Sequence, residues 1–385
     1  MMFKSLIIFS SIILIFCLSV FSQEEIHPER AIVDFEASYV GESFNNLSGG
    51  IKRGSCYLGM ANLLLGLNTE NAGLWKGGKF FIYAANTHGS SPSCELVGDF
   101  QVASNIEAGN HTYVQELWYK QVLGPAEITA GLQDLNVDFV NSENSGLYLN
   151  SSFGIIPTIS GNIPTPIFPL TTLGISLKWQ VTEKFSWLAA VYDGCPTDFD
   201  DSNPYNLNWK FKSGDGALTI TELQYTPKIN LPGTYKIGFF NHMNHIRENE
   251  AKDENTAIPE NNYGFYLIGD QQLWKDETHN KGLNIFFQYG LSPGKLNINK
   301  NYFGTGFNFN GLFNKQGKDI LGLAVAHANL EYLSGNETTL ELTYQFPILN
   351  NIFIQPDLQY IINPAGLDEK LDNSLAAAIR FGFSF

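Results

Sequence analysis

The chain has 385 residues, of which 44 % are hydrophobic and 14 % aromatic, and its formal net charge is −15. This length is sufficient for one large barrel or for two ordinary domains. The negative charge argues against a nucleic-acid partner, because binding to phosphates needs a basic surface. After the first residues, no segment approaches the roughly 20 consecutive apolar residues that a transmembrane helix needs.

The N-terminus has the pattern of a secretory signal peptide. Lys4 supplies a positive start, residues 6–18 supply an apolar segment, and a cleavage site precedes Gln23. We therefore expect residues 1–22 to be removed on export and residues 23–385 to form the mature protein.

Apolar and polar residues alternate strictly in three segments near the C-terminus. Leu342 lies beside Glu341, and Phe381 lies beside Arg380, in runs that keep the same period. A period of two residues predicts strands with one apolar and one polar face. In a transmembrane barrel the apolar face meets lipid and the polar face meets the lumen. We therefore expect Leu342 and Phe381 to point outwards, and the strand that ends at Phe385 to close the barrel.

Alternation and turn signals along the whole chain predict an all-β, transmembrane antiparallel β-barrel of about sixteen strands. The predicted strands are 31–41, 55–67, 77–87, 112–122, 126–134, 169–180, 184–194, 217–227, 232–243, 261–272, 281–291, 300–309, 317–328, 337–346, 350–362 and 373–385. Short and usually longer connections alternate between them, which is typical of outer-membrane barrels with short periplasmic turns. The longest connections, 88–111 and 135–168, are long enough to fold partly into the lumen and narrow it.

Side-chain direction is distinctive in one predicted strand and undefined in two others. Strand 112–122 places Tyr113, Leu117 and Tyr119 on one face and Glu116, Trp118 and Lys120 on the other. A tryptophan between a carboxylate and an ammonium suits a platform for a sugar ring, and the alternative is a tryptophan packed beneath an infolded loop. Strands 184–194 and 217–227 have two mixed faces, so alternation does not define their orientation.

Several ordered blocks carry a family resemblance. They are Gly98-Asp99-Phe100-Gln101, Ser104-Asn105-Ile106-Glu107-Ala108, Glu116-Leu117-Trp118-Tyr119, Asn150-Ser151-Ser152-Phe153-Gly154, Asp215-Gly216-Ala217, Glu341-Leu342-Thr343-Tyr344, Gln355-Pro356-Asp357-Leu358-Gln359-Tyr360 and Asn363-Pro364. From about residue 35 to residue 385 the sequence resembles the carbohydrate-selective porins, the OprB-type porins of bacterial outer membranes. The resemblance implies a monomeric sixteen-stranded barrel that passes mono- or oligosaccharides down a gradient through a loop-lined constriction.

The polar strand faces and the resemblance together define candidate pore-lining residues. These are Asp99, Gln101, Asn105, Glu107, Glu116, Trp118, Lys120, Lys178, Glu341, Gln355, Asp357, Gln359 and Arg380. The resemblance also implies several channel arginines. After the signal this chain has Arg30, Arg53, Arg247 and Arg380, so the sequence leaves the preferred sugar and any anion preference open.

Three other functions remain as alternatives: a general diffusion porin, a barrel enzyme of the outer membrane, and a secreted β-sandwich lectin. Residues 290–294 match the G-x-S-x-G pattern, but that motif needs a strand–turn–helix elbow, and here Pro293 falls in a turn between two predicted strands. We expect no catalytic site, no metal and no cofactor. Cys56, Cys94 and Cys195 could form one disulfide but not a disulfide framework.

Overall fold

Sixteen antiparallel strands form one closed barrel, which confirms the predicted fold. The computed structural model describes residues 31–211, 214–228, 230–245, 260–293, 297–314, 316–331, 335–367 and 370–385, so the predicted signal peptide lies outside it. The strands are β1 (Val33–Ser48), β2 (Gly54–Asn68), β3 (Gly78–Gly89), β4 (His111–Leu123), β5 (Ala126–Gln133), β6 (Thr172–Gln180), β7 (Phe185–Asp193), β8 (Ala217–Tyr225), β9 (Gly233–His245), β10 (Glu260–Asp276), β11 (Lys281–Leu291), β12 (Asn299–Asn310), β13 (Ile320–Leu330), β14 (Glu337–Leu349), β15 (Ile352–Ile362) and β16 (Ser374–Ser384).

The last strand closes the barrel, as the sequence predicted. β16 pairs with β1 in an antiparallel register that places Phe381 opposite Gly41 and Arg380 opposite Glu42. Beyond the strand, the backbone N–H of Phe385 donates to the carbonyl oxygen of Ala37 at 2.8 Å. Closure leaves no sheet edge, and so removes the unpaired backbone groups that an edge strand would expose.

The two faces of the wall have the predicted character. The outward-pointing side chains of Leu342 and Phe381 are 45 % and 39 % exposed. Their neighbours Glu341 and Arg380 belong to the opposite, buried face and are 0 % and 8 % exposed. In a closed barrel that buried face is the interior face, so the alternation seen in the sequence separates the outside from the inside.

The two ends of the barrel differ in their connections. Short turns such as 124–125 and 350–351 lie at one end, and the longer segments 90–110, 134–171 and 194–216 lie at the other. The long connections contain short helical segments: a π-helical turn Ser93–Val97, α-helical turns Leu135–Asp138, Ser151–Gly154 and Pro157–Ser160, and a 3-10 turn Ser145–Leu147. Among the described residues no helix is long and apolar enough to cross a membrane.

An apolar core lies inside the barrel, against the strands from β7 to β13. Segment 134–171 contributes the buried side chains of Phe139, Tyr148, Phe153, Ile156 and Ile159, among others. They share one cluster with interior-facing wall residues, which include Leu188, Ala190, Leu218, Ile220, Phe240, Phe286, Tyr302 and Ala326. This packing explains the mixed faces of 184–194 and 217–227, because there an apolar interior face contacts an apolar connection instead of water.

Segment 90–110 has a smaller core of its own. Its buried residues Leu96, Val97, Ala103 and Ile106 cluster with wall residues Phe44, Leu58, Met60, Tyr113 and Ala378, among others. The two clusters therefore lie on different sectors of the wall, and the long segments meet at their border, where Leu149 of segment 134–171 belongs to the smaller cluster and Phe100 of segment 90–110 packs against the larger one.

One side-chain orientation differs from the prediction for strand 112–122. Tyr113 was expected to share a face with Leu117, but Tyr113 is 2 % exposed and Leu117 is 38 % exposed. The register between β3 and β4 shifts at this point, because Ala84 pairs with Val114 while the next residue, Tyr83, pairs with Glu116. An extra residue in one strand reverses the alternation beyond it, and single-sequence periodicity does not reveal where that residue is.

Candidate functional site

A cavity of about 480 Å³ lies between the two long segments 90–110 and 134–171 and the adjacent wall. We call it the inter-loop cavity. Its lining combines side-chain amides, carboxyl groups, hydroxyls and aromatic rings, contributed by Met60, Tyr83, Phe100, Gln101, Val102, Asn105, Glu107, Gln115, Asp134, Asn136, Ser151, Ser152, Gly154, Ile155, Pro157, Ser160, Gly161, Ile167 and Phe168. Three predicted site residues, Gln101, Asn105 and Glu107, therefore meet in one cavity.

Two carboxyl groups of this cavity are partly desolvated. Burial raises the pKa of Glu107 to about 7; the backbone N–H of Ser93, which donates at 3.0 Å, opposes the shift. Burial likewise raises the pKa of Asp134 to about 6, against hydrogen bonds from the backbone N–H groups of Asn136 and Phe168. The cavity can therefore change charge within the neutral to mildly acidic range.

The predicted site residue Asp99 lies behind this cavity rather than in its lining. Its side chain is buried, and burial raises its pKa to about 6. The next residues, Phe100 and Gln101, donate their backbone N–H groups to the carboxylate of Glu337 on β14, at 2.8 and 2.9 Å. Glu337 thus fixes segment 90–110 to the wall. The same carboxylate also accepts the backbone N–H of Ala365, in the connection between β15 and β16, at 2.8 Å.

The predicted site residue Glu341 fixes the other long segment in the same manner. Its carboxylate accepts the backbone N–H groups of Leu149 at 2.6 Å and Asn150 at 3.1 Å. Glu341 is fully buried, and each of its two carboxyl oxygens accepts one backbone N–H group of the segment. Two acidic residues, four positions apart on the interior face of β14, therefore hold two different segments.

Two further wall carboxylates, which the sequence analysis did not single out, fix segment 134–171. Glu222 on β8 accepts the backbone N–H of Val140 at 3.0 Å. Asp270 on β10 accepts the hydroxyl of Ser142 at 2.7 Å and the N–H of Asn144 at 3.1 Å. The sequence does contain a sign of these two acids, since each lies on a strand face beside apolar residues. A buried acid in such a place needs hydrogen-bond donors from another part of the chain.

The remaining predicted residues of β15 and β16 also contact these segments. The Gln355 side-chain amide donates to the carbonyl oxygen of Leu147 at 2.8 Å, and that of Gln359 donates to Ala103 at 2.8 Å and to Asp357 at 3.2 Å.

Arg380 forms an ion pair across the closing strands. Its guanidinium lies 2.6 Å from the carboxylate of Glu42, and the side chains of both residues are at most 9 % exposed. The same guanidinium donates to the hydroxyl of Ser104 at 3.4 Å. Arg380 therefore joins β16, β1 and segment 90–110.

An aromatic and charged group lies on the interior face of β3 and β4, towards the short-turn end. The Trp118 ring stacks on Phe81, with 4.7 Å between ring centroids, and its N–H donates to Glu116 at 2.8 Å. The ammonium of Lys120 is 5.4 Å from the Trp118 ring centroid and 3.4 Å from the Glu127 carboxylate. Lys178 stands opposite Glu127 in the next strand pair.

The side chains described above can bind solutes by hydrogen bonds and can narrow the path that solutes take. Among the described residues no group of three or more His, Cys, Asp or Glu side chains could hold a metal ion. In the same part of the chain no disulfide joins Cys56, Cys94 or Cys195. Ser292, the serine of the G-x-S-x-G match, is buried, and its hydroxyl donates to the carbonyl oxygen of Thr158 at 3.0 Å.

Known proteins share both the sequence pattern and the fold. Porin B of Pseudomonas aeruginosa is 24 % identical over 408 aligned residues, which cover 90 % of this chain and 86 % of that protein. The high-pH structure of Pseudomonas putida OprB matches with a TM-score of 0.80 at 22 % identity, over 92 % of this chain and 94 % of the other. The low-pH structure of the same protein matches with a TM-score of 0.58 at 19 % identity, over 92 % of each chain.

The family assignment follows from the sequence as a whole. A family model described as carbohydrate-selective porin, OprB family, matches residues 52–385. The matched residues include the inter-loop cavity, both segments that bound it and the carboxylates that hold them. The chain therefore belongs to the OprB family of carbohydrate-selective porins, and it is an outer-membrane channel for sugars rather than an enzyme.

Proposed function

We propose that sugars are selected in the inter-loop cavity, where segments 90–110 and 134–171 narrow the channel. The observation that carries this proposal is that one cavity brings together side-chain amides, carboxyl groups and aromatic rings from both segments and from the wall. These are the groups that a sugar needs, because its hydroxyls form hydrogen bonds while the C–H face of its ring packs on apolar surface.

The proposed mechanism is partial replacement of the sugar's hydration. Gln101 and Asn105 can each donate to and accept from hydroxyl groups. The side-chain nitrogen of Asn136 already donates to the backbone, so Asn136 offers its side-chain oxygen. The rings of Tyr83 and Phe168 offer apolar contact. Binding has to be weak enough for the sugar to leave, as in other selective channels. No covalent step is involved, and the concentration gradient sets the direction of flow.

The other predicted site residues have two roles in this proposal. Glu341, Gln355, Gln359 and Arg380 hold the long segments in place, and Asp357 orients the side-chain amide of Gln359 by accepting a hydrogen bond from it. Glu116, Trp118, Lys120 and Lys178 line the path beyond the cavity towards the short turns, where their charges act on passing solutes.

We also propose how the chain is exported, how the barrel is oriented in the membrane and that it works as a monomer. Residues 1–22 direct export and are removed, the short turns face the periplasm, and the exposed apolar face contacts outer-membrane lipid. A single chain forms one complete channel, because the barrel closes on itself through β1 and β16. The mass of the mature N-terminus and light scattering in detergent test cleavage before Gln23 and the monomeric state.

Conductance measurements in planar bilayers test the proposed function. We expect the mature protein to form channels whose ion current is reduced by added mono- or oligosaccharides in a concentration-dependent manner. Absence of channels, or channels that no sugar affects, would contradict the proposal.

Liposome swelling separates a sugar-selective channel from a general diffusion porin. We expect faster swelling with sugars than with uncharged non-sugar solutes of the same size. Equal rates for both solutes would favour the general porin instead.

A further inference from the structure

We infer that the channel has a second sugar-binding site at its short-turn end, in a cavity lined by side-chain amides and suited to neutral sugars. This inference rests on the proposed sugar pathway and adds a separate site to it. We call this space the short-turn cavity.

The short-turn cavity is separate from the inter-loop cavity. Its volume is about 520 Å³, and none of its lining residues lines the other cavity. The lining includes Thr226 and Thr234, which flank the turn between β8 and β9, and Asn310, the last residue of β12. This volume lies within the range of roughly 300–1,000 Å³ that is usual for small-ligand sites.

A row of amides crosses three neighbouring strands at this cavity. Gln272 on β10 stands opposite Asn284 on β11, and Asn284 stands opposite Asn308 on β12. The Asn284 amide also donates to the side-chain oxygen of Asn310 at 3.0 Å. An amide offers two donors and an acceptor, so neighbouring amides can bind hydroxyl groups that both donate and accept.

One side-chain oxygen in this row of amides is available to accept a hydrogen bond. The side-chain oxygen of Gln272 is buried and accepts no hydrogen bond within the described part of the chain. Buried polar atoms are almost always hydrogen-bonded in folded proteins. This oxygen can accept from a sugar hydroxyl without giving up a bond to the protein.

The part of segment 134–171 that lines this cavity is held in position by hydrogen bonds to the wall. The side-chain amide of Asn308 donates to the carbonyl oxygen of Asn144 at 2.6 Å and accepts the hydroxyl of Tyr148 at 2.8 Å. Asp270 accepts the backbone N–H of Asn144 at 3.1 Å. A site whose groups are already fixed loses less entropy when a ligand binds.

The charges around the cavity favour a neutral ligand. Its charged lining residues are the acids Glu143 and Asp270, and no Lys or Arg is among the described lining residues. The ammonium of Lys236, near Asp270 in the adjoining space, donates to the carbonyl and side-chain oxygens of Asn141 at 2.8 and 2.5 Å. A sugar acid would meet repulsion without a cationic partner, so glucose and maltose fit this cavity better than glucuronate.

Sugar block from each side of a planar bilayer tests the inference. The double variant Q272M/N284L keeps side-chain size and removes the amides. With maltose added at the short-turn side, we expect its residence time to fall about tenfold, which corresponds to a loss of about 1.4 kcal/mol in binding free energy. The control Q121M removes an amide from the outward face near the same end and should behave like the wild type.

The outcomes separate this inference from the proposed function. If maltose does not block the wild-type channel from either side, the proposed function fails. If maltose blocks the wild type and Q272M/N284L equally from the short-turn side, the second site is refuted while the proposed function stands.

A second variant provides a gain of binding and so does not depend on the double variant folding. Asn310 lies at the end of β12, where a lysine can be accommodated at the cavity edge. N310K should make glucuronate block the channel from the short-turn side, whereas the wild type should show little block. Equal block of wild type and N310K by glucuronate would contradict the neutral-sugar assignment.

Discussion

The interior wall of this barrel has two contrasting sectors. From β4 to β6 the interior face carries polar or charged side chains such as Gln115, Glu116, Lys120, Gln133 and Ser176. From β7 to β13 much of it carries Leu, Ile, Phe, Tyr and Ala side chains that pack against segment 134–171, while the amides of the short-turn cavity lie nearer the short turns. The same strand geometry therefore supports a channel wall in one sector and a protein core in the other. What a wall strand needs on its interior face depends on whether water or another part of the chain covers it.

Acidic side chains connect the wall to the segment that fills the packed sector. Glu222, Asp270 and Glu341 stand on the interior face and accept backbone N–H groups from segment 134–171. An infolded segment with little regular structure leaves many N–H groups without partners, and burial of an unpaired polar group is costly. The carboxylates supply those partners, so the apolar contacts and the acidic contacts stabilise the same arrangement.

The largest expected effect comes from removing the core of the packed sector. Phe153 is fully buried, with its ring 4.9 Å from Tyr148 and 5.8 Å from Phe286. F153A should destabilise the packing of segment 134–171 by about 3–5 kcal/mol. We expect a higher and noisier single-channel conductance and a lower unfolding temperature in detergent.

A phenylalanine on the outward face provides the control for that variant. Phe307 is 46 % exposed, so F307A should change conductance little. If F153A, like F307A, had the same single-channel conductance and current noise as the wild type, the packed sector would not control the width of the channel.

Removing one acidic contact should have the next largest effect, and it should be local. E341L leaves the N–H groups of Leu149 and Asn150 without their acceptor, at a cost of about 1–3 kcal/mol for each buried group. E337L does the same for Phe100 and Gln101. Limited proteolysis should show faster cleavage within 134–171 for E341L and within 90–110 for E337L. Identical cleavage patterns in the two variants would show that these glutamates do not hold separate segments.

The acids of the inter-loop cavity should make ion selectivity depend on pH. The pKa of Glu107 is about 7 and that of Asp134 is about 6, so both groups are ionised at pH 8 and largely protonated at pH 5. Cation selectivity, measured as the reversal potential in a salt gradient, should therefore fall as the pH falls. E107Q should remove the part of the change nearest pH 7. A reversal potential that does not vary between pH 8 and pH 5 would place both groups outside the ion path.

The smallest effect is expected at Trp118, in the polar sector. One face of its ring is stacked on Phe81, and Lys120 lies near the ring. W118A should lower stability by about 0.5–1 kcal/mol through loss of the cation–π contact, in addition to the lost packing. We expect sugar block to remain near the wild-type level, with W118F as the conservative control. A marked loss of block in W118A alone would favour the sugar-platform interpretation.

Much of the fold was predictable from periodicity. The alternation around Leu342 and Phe381 predicted which side chains point outwards, and the run that ends at Phe385 predicted the closing strand. These predictions succeed because a strand in a closed sheet exposes alternate residues to two different environments. The reversal at Tyr113 was missed, because it depends on one extra residue in β4 that pairing with β3 accommodates.

The site was predictable only in part. Gln101, Asn105 and Glu107 were assigned to the channel, and they do line one cavity. That Glu341 binds the amides of Leu149 and Asn150 could not be inferred, because the residues in contact are about 190 positions apart along the chain. The sequence alone determined the barrel, its number of strands and its outward face, since these follow from a local pattern of alternating residues. The tertiary structure alone decided which interior residues meet water, which meet the long segments and which acids hold them, because those contacts depend on where a distant segment folds back.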